Sequence, residues 1–195
     1  MAQPATPTRW RTVDIVVTAV IAVAFGAVFA GWNALWESFA GFATFPPAKA
    51  MLVGVWLIPA VLAPLIVRKP GAGVFAETVA AVISTFLGSP WGTITILYGL
   101  AQGVGGEAGF AATSYRSFRL PAALAGGAVA GAAAGLIDIA VYYTDWSLGW
   151  QLAQVVIAAA SGLVVAGLGS WVLVRALAQT GALDPFPSGR ERVEV

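Results

Sequence analysis

The sequence predicts an all-α integral membrane protein with six transmembrane helices and both termini in the cytoplasm. Three observations lead to this fold class. The 195-residue chain is 59% hydrophobic and 10% charged, whereas an ordinary soluble domain is about 25% charged. Its apolar stretches are each roughly 17–26 residues long, enough to cross a bilayer core at about 1.5 Å per residue. Nine of its ten Lys and Arg residues fall on one side of a chain that crosses six times, which marks that side as cytoplasmic.

The six spans follow one another with short connections. Tight turns at Arg68–Gly71 on the inside and Ser89–Gly92 on the outside make the second, third and fourth spans antiparallel neighbours, because proline fixes φ and glycine allows a positive φ. The long outer connection, 34–49, is rich in aromatic residues and carries the one exceptional cation, Lys49. One membrane domain covers 1–195, with a cytoplasmic tail at 180–195. The predicted spans are about 13–33, 50–67, 72–88, 92–113, 121–143 and 151–176.

Composition excludes several classes of function. Cysteine and histidine are both absent, which removes disulfides, Cys/His metal sites, haem ligation and catalysis by Ser-His or Cys-His pairs. No Walker A sequence is present, so any use of ATP requires a partner. The net charge of +1 hides a one-sided distribution of cations, which reports orientation in the membrane and not nucleic-acid binding. We therefore expect no cofactor, no resident metal and no nucleic-acid partner.

Two spans carry rows of small residues that allow close helix contacts. On the first span Thr18, Ala22 and Gly26 lie at every fourth position, and this row fits either packing inside the bundle or docking of another subunit. The fifth span has two adjacent rows, which favour internal packing because such a helix is crowded from two directions. The two rows are Ala123, Gly127, Gly131 and Gly135, and Ala122, Gly126, Ala130 and Ala134.

Acidic residues inside the spans are costly, by about 2.5–3.5 kcal/mol each, and so need an explanation. Glu77 and Glu107 lie in the inner half of the membrane, where each is protonated or paired with a basic residue or a backbone group. A second interpretation places Glu107 and Gln102 at the floor of a pocket. Asp138 lies about one turn below the outer end of the fifth span.

Polar and aromatic residues cluster in the outer halves of several spans. Tyr98 and Gln102 share one helix face at i, i+4, and Asp138 and Tyr142 share another. Individually each residue also fits an aromatic belt or an interhelical hydrogen bond. As a set they favour an outward-facing pocket for a flat, nitrogen-rich or cationic molecule. The other members are Trp56, Trp146, Trp150, Gln151 and Gln154.

An ordered set of short motifs resembles a known family. The segments Gly54–Ile58, Arg68–Gly71, Ala76–Glu77, Leu87–Gly92 and Gln102–Glu107 are similar to those of the YkoE-type S components. These are the substrate-capturing membrane subunits of energy-coupling factor vitamin importers. Each motif alone is weak, whereas their order along the chain is fairly specific.

The resemblance implies a six-helix S-component bundle in the bacterial cytoplasmic membrane that binds thiamin or hydroxymethylpyrimidine from outside. It also implies a transmembrane coupling subunit and two cytoplasmic ATPase subunits as partners. In the family a small-residue row on the first helix contacts the coupling subunit. The matching row here is Thr18, Ala22 and Gly26, which keeps the spacing while the residue types differ, and the resemblance favours docking for it.

Thiamin is an aminopyrimidine joined to a cationic thiazolium, so a carboxylate within aromatic walls is a suitable receptor. We expect Asp138 or Glu37 to be the electrostatic partner. The stacking candidates are Trp36, Trp56, Tyr98, Tyr142 and Trp146. The hydrogen-bonding candidates are Gln102, Gln151 and Gln154.

The leading hypothesis is therefore a vitamin-binding transporter subunit without catalysis of its own. An autonomous ion-coupled carrier, with an inner carboxylate as its proton site, is the alternative. An intramembrane enzyme ranks third, since it requires Glu77, Glu107 and Asp138 to converge.

Overall fold

The computed structural model describes residues 9–39 and 45–190, which form helices joined by turns. Residues 40–44 of the predicted outer connection and 191–195 of the predicted tail lie outside the described residues. The helices are α1 at Thr12–Ser38, a 3-10 helix at Pro46–Leu57 that leads into α2 at Ile58–Val67, α3 at Ala72–Phe86, α4 at Ile94–Ala111, α5 at Leu120–Val141, α6 at Leu148–Ser161, a π-helical segment at Gly162–Leu168, α7 at Gly169–Gln179 and α8 at Pro187–Arg190.

Four of these helical units are long and apolar enough to cross a membrane. They are Thr12–Ser38, Pro46–Val67, Leu120–Val141 and Leu148–Gln179, while α3 is a shorter apolar helix. The all-helical prediction is confirmed for the described residues. α1 continues to Ser38, past the predicted end of the first span at about 33, and includes residues of the predicted outer connection 34–49.

The second unit changes helix type along its length. Its first 12 residues are a 3-10 helix, and 3-10 runs longer than three or four residues are uncommon. Pro59 and Pro64 have no backbone N–H to donate within α2. Because Pro64 lies four residues after Ala60, the carbonyl of Ala60 has no helical N–H partner. This carbonyl lies against two helices: a Cβ added at Gly73 would be 2.3 Å from it, and one at Gly106 would be 2.6 Å from it.

The two small-residue rows of α5 pack in two directions, as predicted. One row faces α4, since a Cβ on Gly126 would lie 2.5 Å from the carbonyl oxygen of Gly106. The other faces α6 and the π-helical segment, since a Cβ on Gly131 would lie 2.2 Å from the carbonyl oxygen of Ala158. Only glycine lets these backbones approach so closely.

The small-residue row of α1 packs inside the bundle. Thr18 and Ala22 have no exposed surface, and a Cβ on Gly26 would meet the Ile83 side chain of α3 at 2.5 Å. The row therefore packs between α1 and α3, and docking of a second subunit on it stays a prediction. The sequence could not tell which face of α1 turns inward, because both faces are apolar.

The first and last described segments pack against the turn at 68–71 and the adjoining end of α2. The buried Asp14 carboxylate pairs with Arg11 at 2.7 Å and lies 4.0 Å from the Lys69 ammonium. This pairing raises the pKa of the Arg11 guanidinium. Near the carboxyl end, Ser188 donates a hydrogen bond of 3.1 Å to the carbonyl of Ile66. The described part of the predicted tail thus packs across the end of α2.

Candidate functional site

A cavity of about 260 Å³ lies at the end of the bundle opposite the turn at 68–71. The cavity is lined by the carboxyl-terminal halves of α1, α3 and α5, by the amino-terminal half of α4 and by the 3-10 helix. These parts meet at the same end of the molecule. Its lining residues are Phe29, Asn33, Trp36, Val53, Trp56, Ala81, Ser84, Trp91, Thr95, Tyr98, Gln102, Ala134, Asp138, Tyr142 and Tyr143.

Asp138 is the carboxylate of the cavity. Its Oδ1 accepts a hydrogen bond of 2.5 Å from the Tyr98 hydroxyl, and its Oδ2 accepts one of 2.7 Å from the Gln154 amide. Two donors on different helices thus fix the carboxylate in place. No Lys or Arg of residues 9–39 and 45–190 forms an ion pair with it. A carboxylate has about four acceptor positions, so Asp138 keeps acceptor capacity for a ligand.

Two amides of the cavity are used differently. The Asn33 amide donates to the Ser84 hydroxyl at 3.2 Å and accepts from Trp56 Nε1 at 3.0 Å, so it ties three walls together. The Gln102 side chain is only 5% exposed and lines the cavity, and no hydrogen bond to it is found among the described residues. Its carbonyl and NH₂ groups are therefore available to a ligand.

Three tryptophans form one aromatic wall. Trp56 lies between the other two, with ring centroids 5.0 Å from Trp36 and 5.5 Å from Trp91, and those two are 6.2 Å apart. The ammonium of Lys49, the cation that departed from the charge pattern of the sequence, lies 4.9 Å from the Trp36 ring centroid. The wall therefore offers flat aromatic surface with one positive charge beside it.

Six of the residues predicted for the site lie together around the cavity, and a seventh touches one of them. The six lining residues are Trp36, Trp56, Tyr98, Gln102, Asp138 and Tyr142. Gln154 is buried behind Asp138 and reaches the cavity through its hydrogen bond to that carboxylate.

Three other predicted residues do not line the cavity. Glu37 is exposed on the last turn of α1, because α1 continues past the predicted end of the first span and turns this side chain outward. Trp146 stacks on the cavity residue Tyr143 with centroids 3.9 Å apart and so supports the wall from behind. Gln151 donates to the carbonyls of Tyr143 and Thr144 and holds the turn after α5.

Sequence reasoning missed several lining residues. Asn33 carries a usable signal, since an amide inside an apolar span, one turn before Trp36, is expected to face a polar partner. Trp91 belongs to the predicted turn Ser89–Gly92, and that turn folds over the cavity. Phe29, Ser84, Thr95 and Tyr143 offer no signal that distinguishes them from ordinary packing residues.

Glu77 and Glu107 cap helices. Glu77 Oε2 accepts the backbone N–H of Ala60 at 3.0 Å, in the first turn of α2. Glu107 Oε1 accepts the N–H of Gly73 at 2.6 Å, in the first turn of α3, and its Oε2 accepts the Tyr115 hydroxyl at 2.6 Å. Burial and this hydrogen bond raise the pKa of Tyr115, so the phenol stays protonated as the donor. Both carboxyls thus satisfy N–H groups that the helices leave unpaired.

This arrangement excludes the pocket-floor and enzyme interpretations of the glutamates. Neither Glu77 nor Glu107 lines the cavity, and neither shares a hydrogen-bond partner with Asp138. The cavity has a fixed carboxylate, a free amide and aromatic faces. Such a set binds a flat heterocycle that carries an amino group or a positive charge.

The chain is similar to membrane transport proteins. A family model described as "ABC-type cobalt transport system, permease component" matches residues 13–133. A protein of Bacillus subtilis (strain 168) described as a putative HMP/thiamine permease protein, YkoE, is 34% identical over 183 residues, which cover 93% of this chain and 92% of that one. A crystal structure of an S-component of an ECF transporter superposes with a TM-score of 0.89 at 33% identity, over 95% of this chain and 94% of the other.

Proposed function

Because this chain belongs to the YkoE-type S components of energy-coupling factor transporters, we propose that it captures thiamin or hydroxymethylpyrimidine at the outer face of the bacterial cytoplasmic membrane. Its relatives are transporter subunits and not enzymes. The chain contributes binding, and partner subunits supply the energy for import. The proposed partners are a transmembrane coupling subunit and two cytoplasmic ATPases, since this sequence has no Walker A motif of its own.

The observation that carries this proposal is that the Asp138 carboxylate and the free amide of Gln102 line the same aromatic cavity. An aminopyrimidine ring presents an exocyclic amine and ring nitrogens along one edge. The amine donates to the Asp138 carboxylate, while the Gln102 amide bonds the ring nitrogens. Both proposed ligands share this ring, and the three tryptophans supply a face on which it stacks.

The cavity volume supports a small ligand. At about 260 Å³ it lies just below the range of about 300–1,000 Å³ that is typical of small-molecule pockets. A cavity of this volume favours a ligand as small as a single pyrimidine ring or a two-ring vitamin.

The positions of the cations support an outward-facing cavity. Arg11 and Lys69 gather at the end of the bundle opposite the cavity, and Arg68 lies at the same end, over the Phe118 ring. Cytoplasmic loops of membrane proteins carry the excess of Lys and Arg. We therefore orient the chain with both termini inside, six spans, and the cavity open to the outside.

The donor set does not favour a metal cargo, although the matching family model names cobalt. The chain has no histidine or cysteine, and within the described residues no group of three or more acidic side chains is placed to hold an ion. Transition metals prefer imidazole and thiolate ligands. A single carboxylate among aromatic rings suits an organic ligand better.

An uptake assay separates this proposal from the ion-coupled carrier. Bacteria that cannot make thiamin would express the chain alone, or with a coupling subunit and ATPases from an energy-coupling factor transporter. We expect labelled thiamin or hydroxymethylpyrimidine to accumulate only with the partners and only while ATP is available. Accumulation by vesicles that contain the chain alone, driven by a proton gradient, would instead establish the carrier.

A further inference from the structure

Glu77 lies where the second helical unit changes from a 3-10 helix to the α-helix α2. Ala60 is the third residue of α2, close to the point where the hydrogen bonding changes from the i−3 pattern of a 3-10 helix to the i−4 pattern of an α-helix. Glu77 Oε2 accepts this N–H at 3.0 Å, and Glu77 itself is fully buried. The carboxyl thus marks the point at which the α-helical hydrogen bonding begins.

The 3-10 helix above this point carries part of the cavity wall. Val53 and Trp56 both line the cavity, and Trp56 lies four residues before Ala60. Its indole donates to Asn33 at 3.0 Å and its ring packs against the other two tryptophans of the wall. The direction in which Trp56 points therefore decides the shape of that wall.

The position of the boundary between the two helix types controls that direction. A residue turns the chain by about 120° in a 3-10 helix and by about 100° in an α-helix. Moving the boundary by one residue would therefore rotate Trp56 by about 20° relative to α2. Because 3-10 hydrogen bonds have poorer geometry, a 12-residue 3-10 helix needs an outside contact to fix where it ends.

The surroundings leave Glu77 and Ala60 little freedom to find other partners. The Ala60 backbone is enclosed by Gly73 and Gly106, where an added Cβ would clash with it. Glu77 Oε1 is buried and has no hydrogen-bond partner among the described residues. The bond to Ala60 is therefore what defines the position of this carboxyl. On α3 the same face continues, at four and seven residues further, to the cavity residues Ala81 and Ser84.

We propose that Glu77 is a positioning residue for the binding cavity. By capping α2 it fixes the end of the 3-10 helix and so holds Trp56 against Asn33 in the orientation that receives the ligand. The effect on ligand binding rests on the function proposed above, whereas the effect on Trp56 does not require a ligand.

Glu107 is the matched control, because it is also a buried glutamate that caps a helix but does so at Gly73, at the inner end. The variants are E77D and E77A, which remove the contact with Ala60, E77Q, which keeps an oxygen acceptor, and E107D. Each is purified with and without Trp56→Phe, so that the difference spectrum reports the emission of Trp56. The unfolding midpoint and the Kd for thiamin and hydroxymethylpyrimidine are measured on the same samples.

We expect E77D and E77A to shift the emission of Trp56 and to raise the Kd by about tenfold or more. E77Q should keep the wild-type emission of Trp56 and a Kd within about threefold of the wild type. E107D should lower the unfolding midpoint and leave the Trp56 emission and the Kd unchanged. If one of the two loss variants does not fold, the other carries the comparison.

The proposal is overturned if Trp56 emission is the same in E77D or E77A as in the wild type. It is also overturned if E107D changes emission and Kd as much as the Glu77 variants do. A wild-type protein that binds neither compound would remove the proposed function, and the Trp56 emission would then still decide the role of Glu77.

Discussion

At the scale of single residues, the site depends on how Asp138 is held. Tyr98 and Gln154 each donate to one of its oxygens, so replacing Asp138 with Asn removes the charge and sets an NH₂ group against a donor. Hydrogen bonds to a charged group contribute about 1.5–3 kcal/mol. Asp138→Asn should therefore weaken ligand binding by about tenfold or more, as measured by calorimetric titration of the purified protein.

Asp145→Asn is the control for this prediction. Asp145 is exposed in the turn between α5 and α6, at the same end of the molecule as the cavity. Asp145→Asn therefore removes the same charge near the cavity without changing the hydrogen bonds of Asp138. An equal loss of affinity in both variants would mean that general charge, and not the held carboxylate, attracts the ligand.

Lys49 provides a residue-scale test of which vitamin is preferred. Its ammonium lies 4.9 Å from the ring centroid of the cavity residue Trp36, where it repels a cation stacked on the same wall. Lys49→Met should raise the affinity for cationic thiamin relative to neutral hydroxymethylpyrimidine by about threefold, and the gain should shrink at high salt. Lys49→Arg keeps the charge, and a similar gain in that variant would contradict the explanation.

Local spacing explains which site residues the sequence could predict. Tyr98 with Gln102, and Asp138 with Tyr142, lie one helical turn apart, so their shared face follows from helix geometry alone. Trp91 and Tyr143 reach the cavity only because turns fold over it, which no local pattern encodes. The sequence does not show where α1 ends, so it could not predict that Glu37 is exposed on the last turn of α1 and does not line the cavity.

At the scale of helices, α5 gives the sharpest test of packing. A Cβ on Gly131 would lie 2.2 Å from the carbonyl oxygen of Ala158, so Gly131→Ala must push α5 and α6 apart. Overpacking of this kind costs about 1–3 kcal/mol, which should appear as a lower midpoint of thermal unfolding in detergent.

Gly31→Ala is the matched control on α1, since nothing lies within 4 Å of a Cβ at that position. Alanine favours a helix interior over glycine by up to about 1 kcal/mol, so this variant should be neutral or slightly stabilised. Equal destabilisation by the two substitutions would contradict the packing assigned to α5.

The packing partners of a helix could be predicted where a local pattern marks its faces. Whether a segment forms an α-, 3-10 or π-helix could not be predicted. The spacing of small residues places two rows on adjacent faces of α5, and two close helix neighbours follow from that spacing. The row on α1 gave no comparable information, because small residues favour close contact without specifying whether α3 or another subunit makes it. The 3-10 helix and the π-helical segment contact distant parts of the chain, through Glu77 at Ala60 and through Gly127 at Gly162, and no local pattern encodes such contacts.

At the scale of the whole molecule, orientation follows from charge. The chain contains no cysteine, so single-cysteine variants can be labelled without background. Asp145→Cys should react with a membrane-impermeant maleimide in intact cells, while Arg116→Cys, exposed in the turn before α5, should react only after the cells are opened. Reaction of Arg116→Cys in intact cells would reverse the proposed orientation.

The most direct test of the central claim is a fluorescence titration of the purified protein with thiamin and with hydroxymethylpyrimidine. Trp36, Trp56 and Trp91 line one wall of the cavity, so a bound heteroaromatic ring should quench their emission. We expect saturable quenching at submicromolar concentration by at least one of the two compounds. The absence of quenching by either compound at tens of micromolar, from protein that is folded by its unfolding midpoint, would contradict it.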